Sequence, residues 1–516
     1  MMQTTVKLQT EKTPRIGLVE LPALKLIDPN GIQRNECSQY GPLLSKQILL
    51  ASLQAGGFDA QLVNLRSGNY EEEYGTVMWN GMLISKRYLG KPISSIDPQS
   101  FDAWGVTNNY MQYRDLAFMV IRHLASGGKP IVVGGSDAIA DPDLYLQAGA
   151  TAIVTDKSGG ANWSVFDYVL GRQMREPISG VILADGTRYQ LRLPPMHPQD
   201  WPLPSLDVVK QCLGREYWAP EGEISILPMG SVFVDLGCDR KCDFCQTPTY
   251  GTGYRRMSTE RTLEWLALQK DAGAKSVISY SDQFLGRVLF NEGRQEVLDI
   301  MKGVREMELP ILWANGLEIR KATLGRGYDR HSEDLTPDYE LVEALWGWDG
   351  KVGCYEAYIP AERPIFGRES YAKLLPWQQH CEMLRAIVRA GVPNIYYGVI
   401  LGLPEDSQET MLRLEEAFWE LSEELKTINP ATNFCLSPFS IRPIPGTPQG
   451  QNIRSSGLLR FEDPAIVGEF MTACADTHYM TYEEVADWQF RLACIGNKNL
   501  TGVGQMAKGV REKAAV

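Results

Sequence analysis

The sequence predicts an α/β protein whose first part is a mostly parallel sheet. Three observations carry this. Short apolar runs alternate with helix-length segments over residues 15–155, the pattern of right-handed βαβ units. Several of these runs end in glycine, at the strand exits where such sheets bind ligands. A chain of 516 residues also leaves room for about three domains at roughly 150 residues each.

Taken in order, residues 15–20 (RIGLVE) read as a short buried strand. Residues 42–55 look helical and stop at Gly56-Gly57, a helix stop. Residues 60–65 form the second strand and residues 101–107 the third. Residues 110–124 suit an amphipathic helix that ends before Gly127-Gly128. PIVVGG (130–135) is the fourth strand, 141–147 a short helix and 152–155 the fifth strand. The segments GVTNN (105–109) and GGSDA (134–138) follow strands. Glycine there either lets backbone approach a flat or anionic ligand or makes a tight turn. No GxGxxG stands at the first strand, which disfavours a dinucleotide site.

Composition narrows the function classes. Hydrophobic residues make up 44% and charged residues 22%, an ordinary soluble mix. The net charge of −12 argues against nucleic acid as the main partner. Ten cysteines are too few for a disulfide scaffold, and five histidines too few for a His-rich metal centre. The polar first residues carry no apolar signal core, and no apolar run is long enough for a membrane span. The expectation is a protein of a reducing cytoplasm, with its cysteines available for metal or chemistry.

The sharpest signal is VDLGCDRKCDFCQTPTYGTGYRRMS (234–258), a C-x3-C-x2-C array of Cys238, Cys242 and Cys245. Three thiolates on one loop can hold three irons of a cubane cluster and leave the fourth without a cysteine. Structural zinc normally takes four protein ligands, and no fourth Cys or His lies nearby. A disulfide reading fails on the odd count. A chance cluster of core cysteines is the remaining alternative.

This array, with Phe244 just before the last cysteine, resembles the radical S-adenosylmethionine superfamily. The resemblance implies that the open iron chelates the amino and carboxylate groups of S-adenosylmethionine. Later segments continue it. SVISYSDQFLG (276–286) implies Ser281 and Asp282 at the methionine amino group. ILWANGLEIRK (311–321) looks like the third strand, with Asn315, Gly316 and Arg320 at its exit. KVGCYEAYIPAERP (351–364) looks like the fourth, with Glu356 in place of a frequent family acid. GLPEDSQET, at the end of 394–410, resembles the turn at the adenosine side. The implied fold is a partial (β/α)6 barrel over 231–430, open on one side, with its chemistry at the carboxyl ends of the strands.

The N-terminal pattern then resembles the Rossmann-like cobalamin-binding domain found before such barrels, here 1–188. The resemblance places cobalamin against Arg66, Thr107, Asn108, Gly134, Gly135, Ser136 and Thr155. The Asp-x-His-x-x-Gly motif that ligates cobalt is missing, and His123 lies inside a helical segment. Cobalamin would therefore bind with no His ligand, and Arg66 would lie beneath the corrin or remain a solvated loop residue. The segment Thr155-Asp156-Lys157-Ser158 replaces an acidic Gly-Glu-Gly-Glu ending. Residues 189–230, rich in Pro and Trp, look like an ordered linker. Residues 431–516 form a mainly helical region expected to cap the barrel mouth and bind substrate.

The resemblance implies three cofactors: a [4Fe-4S] cluster, S-adenosylmethionine and cobalamin. It implies an electron donor of flavodoxin or ferredoxin type, and a small-molecule or peptide substrate. The implied activity is methyl transfer from methylcobalamin to an unactivated carbon or phosphorus, by a 5′-deoxyadenosyl radical. A polar variant would methylate an aromatic carbon such as tryptophan C2. Ring contraction or cyclisation without methyl transfer is the alternative, and a cobalamin or iron–sulfur sensor a further one. The other cysteines (37, 212, 354, 381, 435, 474 and 494) form no second cluster motif. Cys354, beside the fourth strand, is the one of them placed to face the active site.

Overall fold

A computed structural model describes residues 13–35, 38–217, 224–328, 334–367, 371 and 373–496. Cys37 lies outside the described residues. Two parallel sheets organise the chain. The N-terminal sheet has seven strands. Its parallel part runs Ala152–Val154, Ile131–Gly134, Ala103–Thr107, Arg15–Glu20, Asp59–Asn64 across the sheet. These are the five strands read from the sequence: the first has the expected bounds, the second is shifted by one residue, and the other three are shortened by one or two residues. Val181–Leu183 and Arg188–Tyr189 add an antiparallel edge.

The strands are apolar on both faces because both are covered. Ile16, Leu18 and Val132 pack on one side with Leu50, Leu53 and Phe166. Val19, Trp104, Val106 and Val133 pack on the other with Leu116 and Val120. The helices beneath these faces are Leu44–Ala55, Arg114–Ala125 and Asn162–Val169.

An antiparallel ribbon of Ala23–Ile27, Met82–Gly90 and Tyr70–Trp79 was not expected from the sequence. Leu24, Leu26, Ile84 and Tyr88 bury its inner face. Trp79 donates its indole N–H to the Ala473 carbonyl at 2.9 Å, and Lys86 pairs with Asp115 and Asp463 at 2.9 and 2.7 Å. The ribbon thus ties the first part of the chain to the last.

The second sheet has six parallel strands in sequential order. They are Met229–Val232, Ser276–Ser279, Ile311–Trp313, Cys354–Glu362, Asn394–Leu401 and Asn433–Ser440. The first and sixth do not pair, so the barrel stays open, as expected. The sixth strand lies within the segment expected to form the C-terminal region, and the helix Tyr482–Leu492 packs on it. Five helices cover the outside, beginning with Thr259–Asp271, whose Ser258 N-cap accepts the Arg261 N–H at 3.2 Å. Such a cap contributes about 1 kcal/mol.

The halves are fastened at defined points. Gln47, on the helix Leu44–Ala55, accepts the indole N–H of Trp265 at 2.8 Å and the amide of Gln269 at 2.9 Å. Trp201, between the halves, donates to the Ser158 carbonyl at 2.7 Å and stacks on Phe233. Among the described residues no helix is long and apolar enough to cross a membrane.

Candidate functional site

The carboxyl ends of both sheets open on one cavity of about 760 Å³. Glu20, Thr107, Gly134 and Val154 reach it from four strands of the N-terminal sheet. Phe233, Tyr280 and Asn315 reach it from the exits of the first three barrel strands. Cys245 of the three-cysteine loop is on its wall. This is the region where α/β folds place ligands.

The loop is held by backbone and by buried charge. Gly237 has φ +78, and a Cβ there would collide with the Gly253 carbonyl oxygen. Its N–H donates to the Asp282 carboxylate at 2.8 Å. Arg240 forks onto Glu318 at 2.6 and 3.2 Å. Lys321 reaches Asp239 at 2.6 Å and Glu318 at 2.8 Å. The Glu318 and Lys321 side chains are nearly or fully buried. Burial alone would raise the Glu318 carboxyl, but Lys321 and Arg240 hold it below the usual range.

Each of the three cysteines is free. Cys238 receives the Arg240 N–H at 3.4 Å and the Gln283 amide at 3.8 Å. The Cys245 N–H donates to the Cys242 carbonyl at 3.2 Å. Burial pushes all three thiols up, Cys242 to about 12, with Lys373 pulling Cys242 and Cys245 down. Uptake of iron here releases protons. Among the described residues no three His, Cys, Asp or Glu side chains form a site for a metal ion. Three cysteines on one loop instead match the three protein corners of a cubane.

Of the residues expected at S-adenosylmethionine, Asp282 and Asn315 line the cavity. The Asn315 amide donates to the carbonyls of Tyr280 and Ser281 at 2.5 and 3.3 Å. Ser281 lies behind them, its hydroxyl accepting the Val234 N–H at 3.1 Å. Arg320 turns to the Leu374 carbonyl at 2.9 Å. Glu356 sits near the start of the fourth strand, opposite Asn394, the first residue of the fifth. It accepts the Tyr217 hydroxyl there. Cys354, one turn of the pleat earlier, is fully buried. Neither it nor Glu356 lines the cavity. The Asp406 carboxylate of the GLPEDSQET turn is spent on Arg363, at 2.7 and 2.8 Å.

Of the residues expected at cobalamin, Arg66, Thr107, Asn108, Gly134, Gly135 and Ser136 line the cavity. Gly135 has φ +103, and a Cβ would collide with the Asn108 carbonyl oxygen. Two strand exits therefore touch through backbone, which leaves a low wall. Arg66 pairs with Glu20 at 3.2 Å and lies over the Tyr113 ring. Thr155 bonds to Gly180 through its backbone, and its neighbours Asp156, Lys157 and Ser158 face the cavity instead. His123 bonds to the Ile96 carbonyl at 2.8 Å on its helix. Among the described residues that line the cavity there is no histidine.

No family model matches the chain, and no curated protein matches it in sequence. Solved structures do match. OxsB, a cobalamin-dependent S-adenosylmethionine radical enzyme with aqua-cobalamin and S-adenosylmethionine bound, superposes with TM-score 0.63 at 14% identity. The match covers 92% of this chain and 66% of that one, so the chain spans just under two-thirds of OxsB. TsrM from Kitasatospora setae, a radical S-adenosylmethionine methyltransferase with cobalamin and a [4Fe-4S] cluster bound, has TM-score 0.61 at 13% identity. That match covers 98% of this chain and 100% of TsrM. A second TsrM structure, with tryptophan substrate and an S-adenosylmethionine analogue, has TM-score 0.57 at 13% identity. The chain has the fold of cobalamin-dependent radical S-adenosylmethionine enzymes.

Within that fold, four features escaped the sequence reading. Glu362, rather than Glu356, is the acid at the carboxyl end of the fourth strand, and Lys373 pairs with it at 2.6 Å. Lys373 also stands over the Phe244 ring beside the cysteines. Lys157 donates to the Ser136 hydroxyl at 3.1 Å and lies over the Tyr250 ring. Burial pushes the Lys157 ammonium down and Asp282 up, and each opposes the other's shift. The Glu318–Lys321–Arg240 set was not expected, and neither was Arg442 on the cavity wall. Apart from Arg240, inside the cysteine array, none of these belongs to a spaced motif. Only the topology brings them together.

Proposed function

We propose that the chain is a cobalamin-dependent radical S-adenosylmethionine enzyme that transfers a methyl group to a carbon or phosphorus centre of a small molecule or peptide. One observation carries the reading: Cys245, the Asp282 strand exit and the Gly134-Gly135 strand exit share a single cavity. The donor set fits the three groups. Cys238, Cys242 and Cys245 would hold three irons of the cluster. Asp282 and Asn315 would meet S-adenosylmethionine beside Cys245. The backbone of Thr107, Asn108 and Gly134-Gly135, with Ser136 and Arg66, would seat the corrin. Thr155 would act only through its neighbours Lys157 and Ser158.

When bound, the cluster and S-adenosylmethionine supply a one-electron cleavage, and cobalamin supplies the methyl group. The protein's part is placement. The Gly237–Asp282 bond sets the cysteine loop against the second strand exit. Trp201 and Phe233 close one side of the cavity in stacked contact, which excludes water from the reacting groups. The reading includes a corrin without a histidine ligand. No disulfide is formed among the described residues, and the reading includes a flavodoxin- or ferredoxin-type electron donor of a reducing cytoplasm.

Anaerobic reconstitution with iron, sulfide and hydroxocobalamin tests this by ultraviolet–visible spectroscopy. Both cluster and corrin bands are expected, and C238A/C242A/C245A should lose the cluster bands. Iron–sulfur without corrin would reduce the reading to an ordinary radical enzyme. S-adenosylhomocysteine and 5′-deoxyadenosine in a reductant-driven assay report turnover. Product mass separates methyl transfer from ring contraction or cyclisation.

A further inference from the structure

The cations of the cavity are not equally committed. Arg66 is spent on Glu20. Lys157 is engaged by Ser136 and feels Asp282, near the cysteine loop. Arg442, two residues past the sixth strand, differs. It makes no ion pair with a carboxylate among the described residues, and its hydrogen-bond acceptor there is the Gly468 carbonyl. Its guanidinium lies 3.3 Å from the centroid of the Phe470 ring, which covers one face. The carboxylate that acts on it is Glu469, and the hydroxyls are those of Tyr110 and Tyr358. Tyr110 lines the same cavity with its side chain uncovered.

Arg442 is half-buried, and Glu469 acts on it without forming an ion pair, so its charge is only partly compensated. Stacking on Phe470 fixes the plane of the fork, so the N–H groups not used by Gly468 are pre-oriented for a planar, two-oxygen acceptor. The charge of Arg442, not committed to an ion pair among the described residues, matches one negative charge. Burial pushes Arg442 down to about 10, which leaves it cationic at neutral pH.

We propose that Arg442 is a carboxylate anchor and that the methyl acceptor is a small organic acid. Its carboxylate meets the Arg442 fork and its apolar body lies against Tyr110. The assignment deepens the function proposed above and rests on it. S-adenosylmethionine also carries a carboxylate, but Asp282, one of its expected contacts, acts on Lys157 and is not among the groups acting on Arg442.

The test is the rate at which phenylglyoxal modifies Arg442 in the reconstituted full chain, read by peptide mass mapping. Arg442 should react. Phenylacetate or indole-3-acetate should slow it by about fivefold, as for a ligand at a few times its Kd. The uncharged alcohols 2-phenylethanol and indole-3-ethanol should not. An unreactive Arg442, or no protection by either acid, overturns the proposal. Protection by S-adenosylmethionine alone, lost with its decarboxylated analogue, assigns the anchor to the cosubstrate and also overturns it. R442Q should take up iron and corrin as the wild type does, and loss of both would mark Arg442 as structural. If the wild type takes up no corrin, the methyltransferase reading fails separately, and labelling of the corrin-free chain still decides the anion site.

Discussion

Gly237 donates its backbone N–H to the Asp282 carboxylate at 2.8 Å. The residue before the first cysteine is thereby fixed to the exit of the second barrel strand. Only a residue without a Cβ fits, because φ is +78 and the Gly253 carbonyl stands against it. G237A should therefore displace the loop. The strain alone is about 1–3 kcal/mol, and the collision adds to it. Iron per chain after reconstitution should drop steeply while far-ultraviolet circular dichroism is unchanged. Normal iron content in G237A would show that the loop does not need this geometry.

The barrel also depends on a charge pair out of reach of solvent. Arg287 and Asp235 pair at 2.8 Å, and neither side chain is exposed. Arg287 also donates to the carbonyls of Met257 and Val234 at 2.7 and 3.2 Å, and Tyr254 donates to Asp235 at 3.0 Å. R287M strands a buried carboxylate and two carbonyls, so it should destabilise the barrel by about 3–5 kcal/mol. D235N/R287M removes the charge as well and should recover part of that loss. Urea midpoints followed by tryptophan fluorescence check both, and a double variant no better than R287M would exclude the charge as the cause.

His380 makes stability depend on pH. It is buried and shares a 2.7 Å hydrogen bond with Tyr397. Burial pushes its pKa from the ordinary 6.5 to about 3. Below pH 6.5 the unfolded chain takes up a proton that the folded chain refuses, so this contribution is full above 6.5 and is lost as the pH falls toward 3. The loss is up to about 1.4 kcal/mol per pH unit. Stability measured from pH 7 to 4.5 should fall more steeply for the wild type than for H380Q. Parallel profiles would show that His380 takes up its proton equally in both states.

What could be read ahead of the structure follows from how locally each feature is encoded. The strands of the N-terminal sheet are buried on both faces, so they appear as apolar runs such as IVVG at Ile131–Gly134. The cysteine loop is encoded within eight residues. The ribbon strand Tyr70–Trp79 was missed because its first half, YEEEY, is largely exposed and looks like a solvated loop. Its partner Met82–Gly90 alternates buried and partly buried positions only from Ile84 onward, a short pattern between polar segments. Glu362, Lys373, Lys157 and Arg442 are single charged residues on four different segments. Their meaning comes from which strand exits converge, and the sheet order sets that. Glu356 shows the converse: an acid on the expected strand lies near its amino end and is not among the residues lining the cavity.

The two glycine exits allow the two cofactor sites to be separated. Gly135 has φ +103 and abuts the Asn108 carbonyl. Asn108 in turn bonds to Tyr145 at 2.7 Å, and the Asp137 carboxylate, held by Arg114, accepts that tyrosine's hydroxyl at 2.5 Å. The cradle therefore cannot yield locally when a Cβ is added, because its other side is anchored in a buried polar network. G135A should move the Gly134–Ser136 backbone into or away from the cavity and lose corrin. The cysteine loop is anchored independently, through Asp282, Glu318 and Lys321, so the same variant should keep its iron. G237A should do the opposite. Measuring iron and corrin per chain for both variants checks the pair. Loss of both cofactors from either one would mean that the two sheets do not hold their ligands separately.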